Sequence, residues 1–283
     1  MRVLVFGSAG LLGSALCATL RPGMEITGLT RALCNVADPD QVAKAVAAYR
    51  PDAVVNAAAV PDIHSCESDP ARAWSVNALG ARNCALAANT VAALHVQISG
   101  NIVFRAADHA RREWEQPDNP FGVLAATKAA AEGYARAIAN RALIIRTASL
   151  FGDRPGGAPG GLVGRIRRQA ADGTTLRMST AAINAAYAPD VAGALLDLVA
   201  AGNAGAFHLV NAGSITPAGL ARAVADISEQ HTDVEESNGE AEQRLLACDL
   251  ARACGVALRP LDDALRAYLT HGIGRWTGCP GTA

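Results

Sequence analysis

The sequence predicts an α/β fold: a doubly wound parallel sheet with a small C-terminal α/β domain. Three observations predict it. Short apolar runs alternate with longer Ala-rich segments through the first half of the chain. Those runs are almost continuously apolar, the pattern of strands covered on both faces. A series of glycines follows the first of them. With 283 residues, 51% hydrophobic and 18% charged, the chain can bury a large core.

Taken in order, "RVLVFG" (Arg2–Gly7) is the first expected strand, and "GSALCATL" opens the first helix. "MEITGLT" (Met24–Thr30) is a second strand, followed by the helix "DPDQVAKAVAAY", where Asp38 is a natural N-cap and Pro39 fits the first turn. "DAVVNAAA" (Asp52–Ala59) is a third strand, and Asp69-Pro70 repeats the capping device before "ARAWSVNALGARNCALAANT". "LHVQIS" (Leu94–Ser99), the helix "ATKAAAEGYARAIAN" and the strand "RALIIRT" (Arg141–Thr147) complete a first domain over residues 1–151. The composition then shifts. "GDRPGGAPGGLVG" (Gly152–Gly164) reads as a loop, lying either over a ligand site or on the surface as an insertion. Beyond it come a basic amphipathic segment "LVGRIRRQAADG", the strand "FHLVN" (Phe207–Asn211) and the helix "TPAGLARAVADISEQ". A polar stretch, "HTDVEESNGEAEQ", is expected to be a solvated loop or linker, ahead of a last helix, "PLDDALRAYLTHG", and a frayed tail, "RWTGCPGTA". Residues 152–283 are thus mainly a small domain, with about 188–212 returning to the first.

The formal net charge of −1 offers no footprint for nucleic acid or an anionic membrane. No run approaches the ~20 apolar residues of a membrane span. The N-terminal "MRVLVFGSAGLLGSAL" is punctuated by glycines and lacks an A-x-A site, so it reads as strand and turn, not as a signal peptide. Seven cysteines, Cys279 in the tail among them, show no C-x-x-C spacing. Buried thiols in a reducing, cytoplasmic compartment are expected, and no metal site. His64 near Cys66 and Glu67 has no second histidine at ligand spacing, which leaves it as a weak acid/base candidate or an ordinary loop histidine. The loop "RAADHARREWE" (Arg105–Glu115) is either a solvated charged loop or a contact for an anionic substrate or partner.

In "GSAGLLG" the glycines at 7, 10 and 13 lie between a strand and a helix. Gly7 permits the sharp turn, Gly10 lets backbone approach a pyrophosphate and Gly13 lets helix and sheet pack closely, which makes the fold Rossmann-type. Free amides and the helix dipole favour phosphate there. Where an acidic residue would grip the ribose of NAD, this chain offers Thr30 and Arg31, a lean toward NADP over NAD.

These stretches, with "ISGNIVF", "NPFGVLAATKAAAE", "IIRTASLFG" and "LACDLARACGVALRPLDDALRAYL", run in the order found in the extended short-chain dehydrogenase/reductase family. Within it the chain resembles the dTDP-4-dehydrorhamnose reductases over residues 1 to about 270. The resemblance implies NAD(P) binding through Gly7, Gly10 and Gly13, and through Asn56, Ala57, Ala58 and Ala59. It implies further contacts by Asn35, where the family has aspartate, and by Asn77, and a substrate-binding role for the small domain.

In that family a Ser/Thr, a Tyr and a Lys cooperate, because hydride delivery to a carbonyl carbon builds charge on oxygen that a placed acid must neutralise. Aligned on "SGNIVF", the hydroxyl position is Gly100, the aspartate is Asn101 and the next tyrosine is Ile102; aligned on "NP" and "ATK", the catalytic tyrosine is Leu124. Lys128 is retained, Ser149 stands at a family tryptophan, and Ile63-His64 replaces the family's "VD". Lys128, Asn101 and His64 remain as candidates for chemistry, and Lys128 for holding the cofactor ribose. Ser99 should face away from Gly100.

Three functions follow from the resemblance and its gaps. The first is a non-reductive step on a small molecule, with the cofactor structural or absent. The second is a non-catalytic NAD(P)-binding subunit for a protein partner, a class the superfamily contains in the regulatory β subunit of methionine adenosyltransferase. The third is an NADPH-dependent reductase of a nucleotide-linked 4-keto sugar. A homo-oligomer is compatible with all three.

Overall fold

The computed structural model describes residues 1–119, 121–229, 232–237 and 243–270; the expected tail 275–283 and Cys279 lie outside them. Six strands form one parallel sheet: β1 (Arg2–Phe6), β2 (Glu25–Leu29), β3 (Ala53–Asn56), β4 (Leu94–Gly100) and β5 (Ala142–Thr147), joined by a sixth strand at Gly205–His208. Helix α1 (Leu11–Ala18) links β1 to β2, and α2 (Pro39–Tyr49) links β2 to β3. Asp38 caps α2 by accepting from the amides of Asp40 at 3.0 Å and Gln41 at 3.1 Å.

The expected helix over 69–90 is segmented. A short α3 (Ile63–Ser68) precedes α4 (Pro70–Ala73), and a π-helical turn, Trp74–Leu79, leads into α5 (Gly80–Thr90). Such turns widen a helix where a side chain must be re-aimed, often at functional sites. A 3-10 turn, Asn101–Val103, leaves β4, and the long α6 (Val123–Ile138) returns to β5.

The Gly/Pro-rich segment is not wholly loop: β6 (Ser149–Asp153) pairs antiparallel with the two-residue β7 (Pro159–Gly160), and α7 (Gly161–Ala171) starts immediately after it. Gly160 packs so closely on Leu11 that a Cβ would lie 2.5 Å from its Cδ2, which sets this segment against the glycine turn. Then follow β8 (Leu176–Ser179), β9 (Ala185–Tyr187), α8 (Ala188–Ala200), the sheet strand β10 (Gly205–His208) and α9 (Pro217–Ile227). The polar stretch contains β11 (Val234–Ser237), paired parallel with β8, so part of it is strand and not linker. Helices α10 (Asp249–Ala253) and α11 (Leu261–Thr270) close the described chain.

Alternate residues of the strands serve opposite faces. Val3, Val5, Val96 and Ile145 pack against Leu12 and Leu16 of α1 and Leu195 of α8. Leu4, Phe6 and Val54 pack against Val42 of α2 and Cys84 of α5. A separate cluster joins Phe151, Ile166, Leu176, Val224 and Leu265, from β6, α7, β8, α9 and α11. The sheet order β10-β5-β4-β3-β1-β2 changes direction between β1 and β3, and ligands of open α/β sheets bind at the carboxyl ends of strands at such a point. Among the described residues no helix is long and apolar enough to cross a membrane, and no group of three or more metal-ligand side chains gathers. Cys17, Cys34, Cys66, Cys84 and Cys248 are buried, and Cys254 is exposed.

Candidate functional site

Gly7 directly follows β1 with φ of +82°, and its amide donates to the carbonyl of Leu29 at 2.9 Å. A Cβ on Gly7 would come within 2.6 Å of the Ala58 nitrogen; one on Gly13 would come within 2.2 Å of the Gly7 oxygen. Side chains would therefore fill the turn and push α1 off the sheet. The turn opens onto a cavity of about 270 Å³. Its wall is made by Gly7 and Gly10 of the turn, Arg31 and Asn35 after β2, Ala57, Ala58 and Ala59 after β3, and Arg72 and Val76 from the helical segments beyond. A cradle of this kind fits a dinucleotide: glycines bring backbone amides to a diphosphate, and alanines leave a flat slot for a base.

The remaining expected cofactor residues act from behind that wall. Thr30 directly follows β2, where its carbonyl accepts from the amides of Leu33 and Cys34, and it does not line the cavity. Asn56 is fully buried; its amide donates to Gln97 Oε1 at 2.9 Å, and its Oδ1 accepts from the Ala58 amide at 3.3 Å. Asn77, re-aimed by the π turn, accepts from the Val60 amide at 2.8 Å and donates to Thr127 Oγ1 at 3.1 Å, tying the loop after β3 to α6.

The second half of the site is apolar. Leu124 is 8% exposed and packs with Val60, Cys66 and Ala73, with Ile102 and Val123 against them. Glu67 fixes the helix that carries it, since Oε1 accepts from the Val123 amide at 2.7 Å. Cys66 donates to the Val60 carbonyl at 3.4 Å, and burial pushes its thiol pKa up, away from thiolate. Gly100 is extended, and a Cβ there would meet nothing closer than the Thr147 oxygen at 3.5 Å. Ser99 is buried on the other face, toward Glu132.

Lys128 is half-buried and donates to the Ile98 carbonyl at 3.2 Å. Burial pulls its ammonium down to about 8, opposed by Cys66 and Glu132. Burial alone would raise the Glu132 pKa, but bonds from Arg146 at 2.8 and 2.9 Å hold the carboxyl below its ordinary value.

The other candidates are placed differently. His64 is exposed on α3 and does not line the cavity. Asn101 donates to the Arg244 carbonyl at 2.9 Å, which occupies its amide. In the charged loop Arg111 pairs with Glu115 at 2.6 Å and Arg112 with Asp249 at 3.2 Å, so two of its guanidiniums are engaged within the chain.

Comparison with known proteins decides the family. The model of the RmlD substrate binding domain family matches residues 1–275. The chain belongs to the RmlD family. Among RmlD relatives, the dTDP-4-dehydrorhamnose reductase of Streptomyces griseus is 34% identical over 222 residues, covering 76% of this chain and 72% of that protein. The dTDP-4-dehydrorhamnose reductase of Mycolicibacterium smegmatis is 33% identical over 263 residues, 92% and 76% of the two chains. The crystal structure of the Bacillus anthracis reductase in complex with NADP superposes with a TM-score of 0.89 at 22% identity, covering 95% of this chain and 99% of that one. The Thermus thermophilus UDP-glucose 4-epimerase in complex with NAD gives 0.82 at 22%, covering 96% and 98%. At that identity the structural likeness is one of fold. The mainly parallel α/β architecture expected from sequence is the RmlD architecture.

Arg72 was missed by sequence reasoning, hidden inside a helical pattern. A signal existed: Asp69-Pro70 starts the helix, and Arg72 and Val76 lie four residues apart, on one face of a helical segment. Glu67 had a weaker signal, since nothing in its local sequence points to a helix start 56 residues away.

Proposed function

We propose that this RmlD-family protein binds NADP or NAD in the cavity at the glycine turn and acts on a small molecule without reducing it. One observation carries the reading: the position of the family's proton donor is Leu124, sealed among Val60, Cys66 and Ala73. Leu124 brings no hydroxyl to that position, and a missing general acid costs about 10²–10⁴-fold in rate. Gly100 supplies no polarising hydroxyl either. What the site keeps is a lysine.

Lys128, with a pKa near 8, is divided between ammonium and free amine at slightly alkaline pH. The amine form is a base that can take a proton from a bound molecule, and the ammonium can hold a ribose hydroxyl. A bound nicotinamide dinucleotide would supply hydride chemistry; the chain's own residues supply its cradle. Gly7 and Gly10 shape the turn, Ala57–Ala59 form the slot, and Asn56 and Asn77 hold that slot in place.

Calorimetry of the purified protein with NADPH and NADH tests the cofactor half. Binding of at least one is expected, and Lys128→Ala should weaken it about 10-fold, the loss of one charge-assisted hydrogen bond. Undetectable affinity for both would make the glycine turn vestigial and sink the reading.

A further inference from the structure

Arg31 and Arg72 both line the dinucleotide cavity, and no Asp or Glu does. Arg31 belongs to the segment after β2 and Arg72 to α4. Both residues are exposed, and neither makes an ion pair among the described residues. The neighbouring carboxylates are already engaged as helix caps. Asp38 accepts from Asp40 and Gln41, Asp62 from Ser65 at 2.7 Å, and Asp69 from the backbone amide of Arg72 itself at 3.0 Å. Those caps keep their charge, but none of the three carboxylates lines the cavity, whose own charged groups are two guanidiniums.

Its chemistry separates two ligands that differ by one phosphate. A ribose with a free 2′-hydroxyl is best held by an acidic acceptor; the cavity lining contains none. A ribose 2′-phosphate carries up to two negative charges on oxygens that match the N–H fork of arginine. We propose that Arg72 and Arg31 together hold the 2′-phosphate of NADP(H), so that Arg72, on a different element from the β2 end, sets the preference for NADP over NAD. This rests on the reading that the cavity holds a nicotinamide dinucleotide. Asp69 serves the clamp indirectly: by holding the Arg72 amide it fixes the first turn from which the guanidinium reaches. Val76, one turn on, presents an apolar surface to the base and leaves discrimination to the charges.

Calorimetric titration of the full chain with 2′,5′-ADP, 5′-ADP, NADPH and NADH tests the clamp. Wild type should bind 2′,5′-ADP over 5′-ADP, and NADPH over NADH, by about 10- to 100-fold, the range for charge-assisted contacts. Arg72→Ala should remove most of that preference and leave NADH and 5′-ADP affinity unchanged; Arg72→Lys should recover part of it. Because Arg72 is exposed, the variants should melt with wild type, which verifies folding. Equal weakening of NADPH and NADH by Arg72→Ala would place the guanidinium on the base or the diphosphate and overturn the clamp. Preference for NADH in the wild type would overturn it too, with the dinucleotide reading intact. Failure of all four probes to bind would overturn the clamp and that reading together.

Discussion

At the scale of single residues, Leu124 and Lys128 define what this site can do, and they were legible to different degrees. The proposed replacement of the tyrosine by Leu124 is read from sequence, where "NP" and "ATK" anchor the register on both sides. The packing of its replacement is not, since Val60, Cys66 and Ala73 come from segments 50 or more residues away. Arg72 shows the same limit: its side chain is recruited to the cavity by the loop after β3, which no local pattern reveals. Lys128 yields a prediction with a definite sign. Its folded pKa of about 8 lies below its ordinary 10.5, so folding disfavours the charged form. That penalty is complete below pH 8 and is relieved as pH rises through 8 to 10.5. Lys128→Met should therefore stabilise the cofactor-free chain by about 1–2 kcal/mol at pH 7, discounting for the partial exposure of the residue, and the gain should shrink toward pH 10. Denaturant midpoints of the two chains at both pH values measure it; a pH-independent difference would place Lys128 in a wetter setting than described.

At the scale of elements, the strand-turn-helix unit over β1 and α1 was readable because glycine spacing and apolar runs are local signals. The segmentation between residues 63 and 90 was not. An Ala-rich stretch favours helix throughout, while the π turn arises from a tertiary demand, the bond of Asn77 to the Val60 backbone. The polar stretch also gained a strand, because β8 offers β11 an edge to pair with; propensity alone favours neither. Within this unit the tight approach is that of Gly13 to the Gly7 carbonyl, where a Cβ would lie 2.2 Å from the oxygen. Gly13→Ala should cost at least about 2 kcal/mol, since the clash is with backbone and cannot be relieved by a rotamer change. An unchanged urea midpoint would show that α1 can shift without loss.

At the scale of the whole molecule, the parallel sheet and its two covered faces followed from alternation of short apolar runs and helical segments, and the glycine turn marks its ligand-binding end. Less visible in sequence are the charged and titratable groups built into the interior. His95 and His208 are fully buried, and burial pulls both pKa values down to about 4, with the Arg146 charge adding to the effect on His208. Both folded values lie below the ordinary 6.5, so each histidine contributes stability that is present above pH 6.5 and lost as pH falls toward 4. The loss should be on the order of 1–3 kcal/mol per histidine, and His95→Leu should flatten part of it; a flat stability profile between pH 7 and 4.5 would contradict the burial of both rings. In the proposed reading the site is a dinucleotide cradle whose family proton donor is replaced by Leu124, and reversal is the most direct test. Gly100→Thr is sterically open, and combining it with Leu124→Tyr restores both missing hydroxyls. NADPH oxidation at 340 nm with dTDP-4-dehydrorhamnose should stay at background for the wild type and rise at least about 10²-fold in the double variant, with NADPH affinity measured alongside as a check on folding. Rapid turnover by the wild type that the added tyrosine and threonine do not improve would contradict the account.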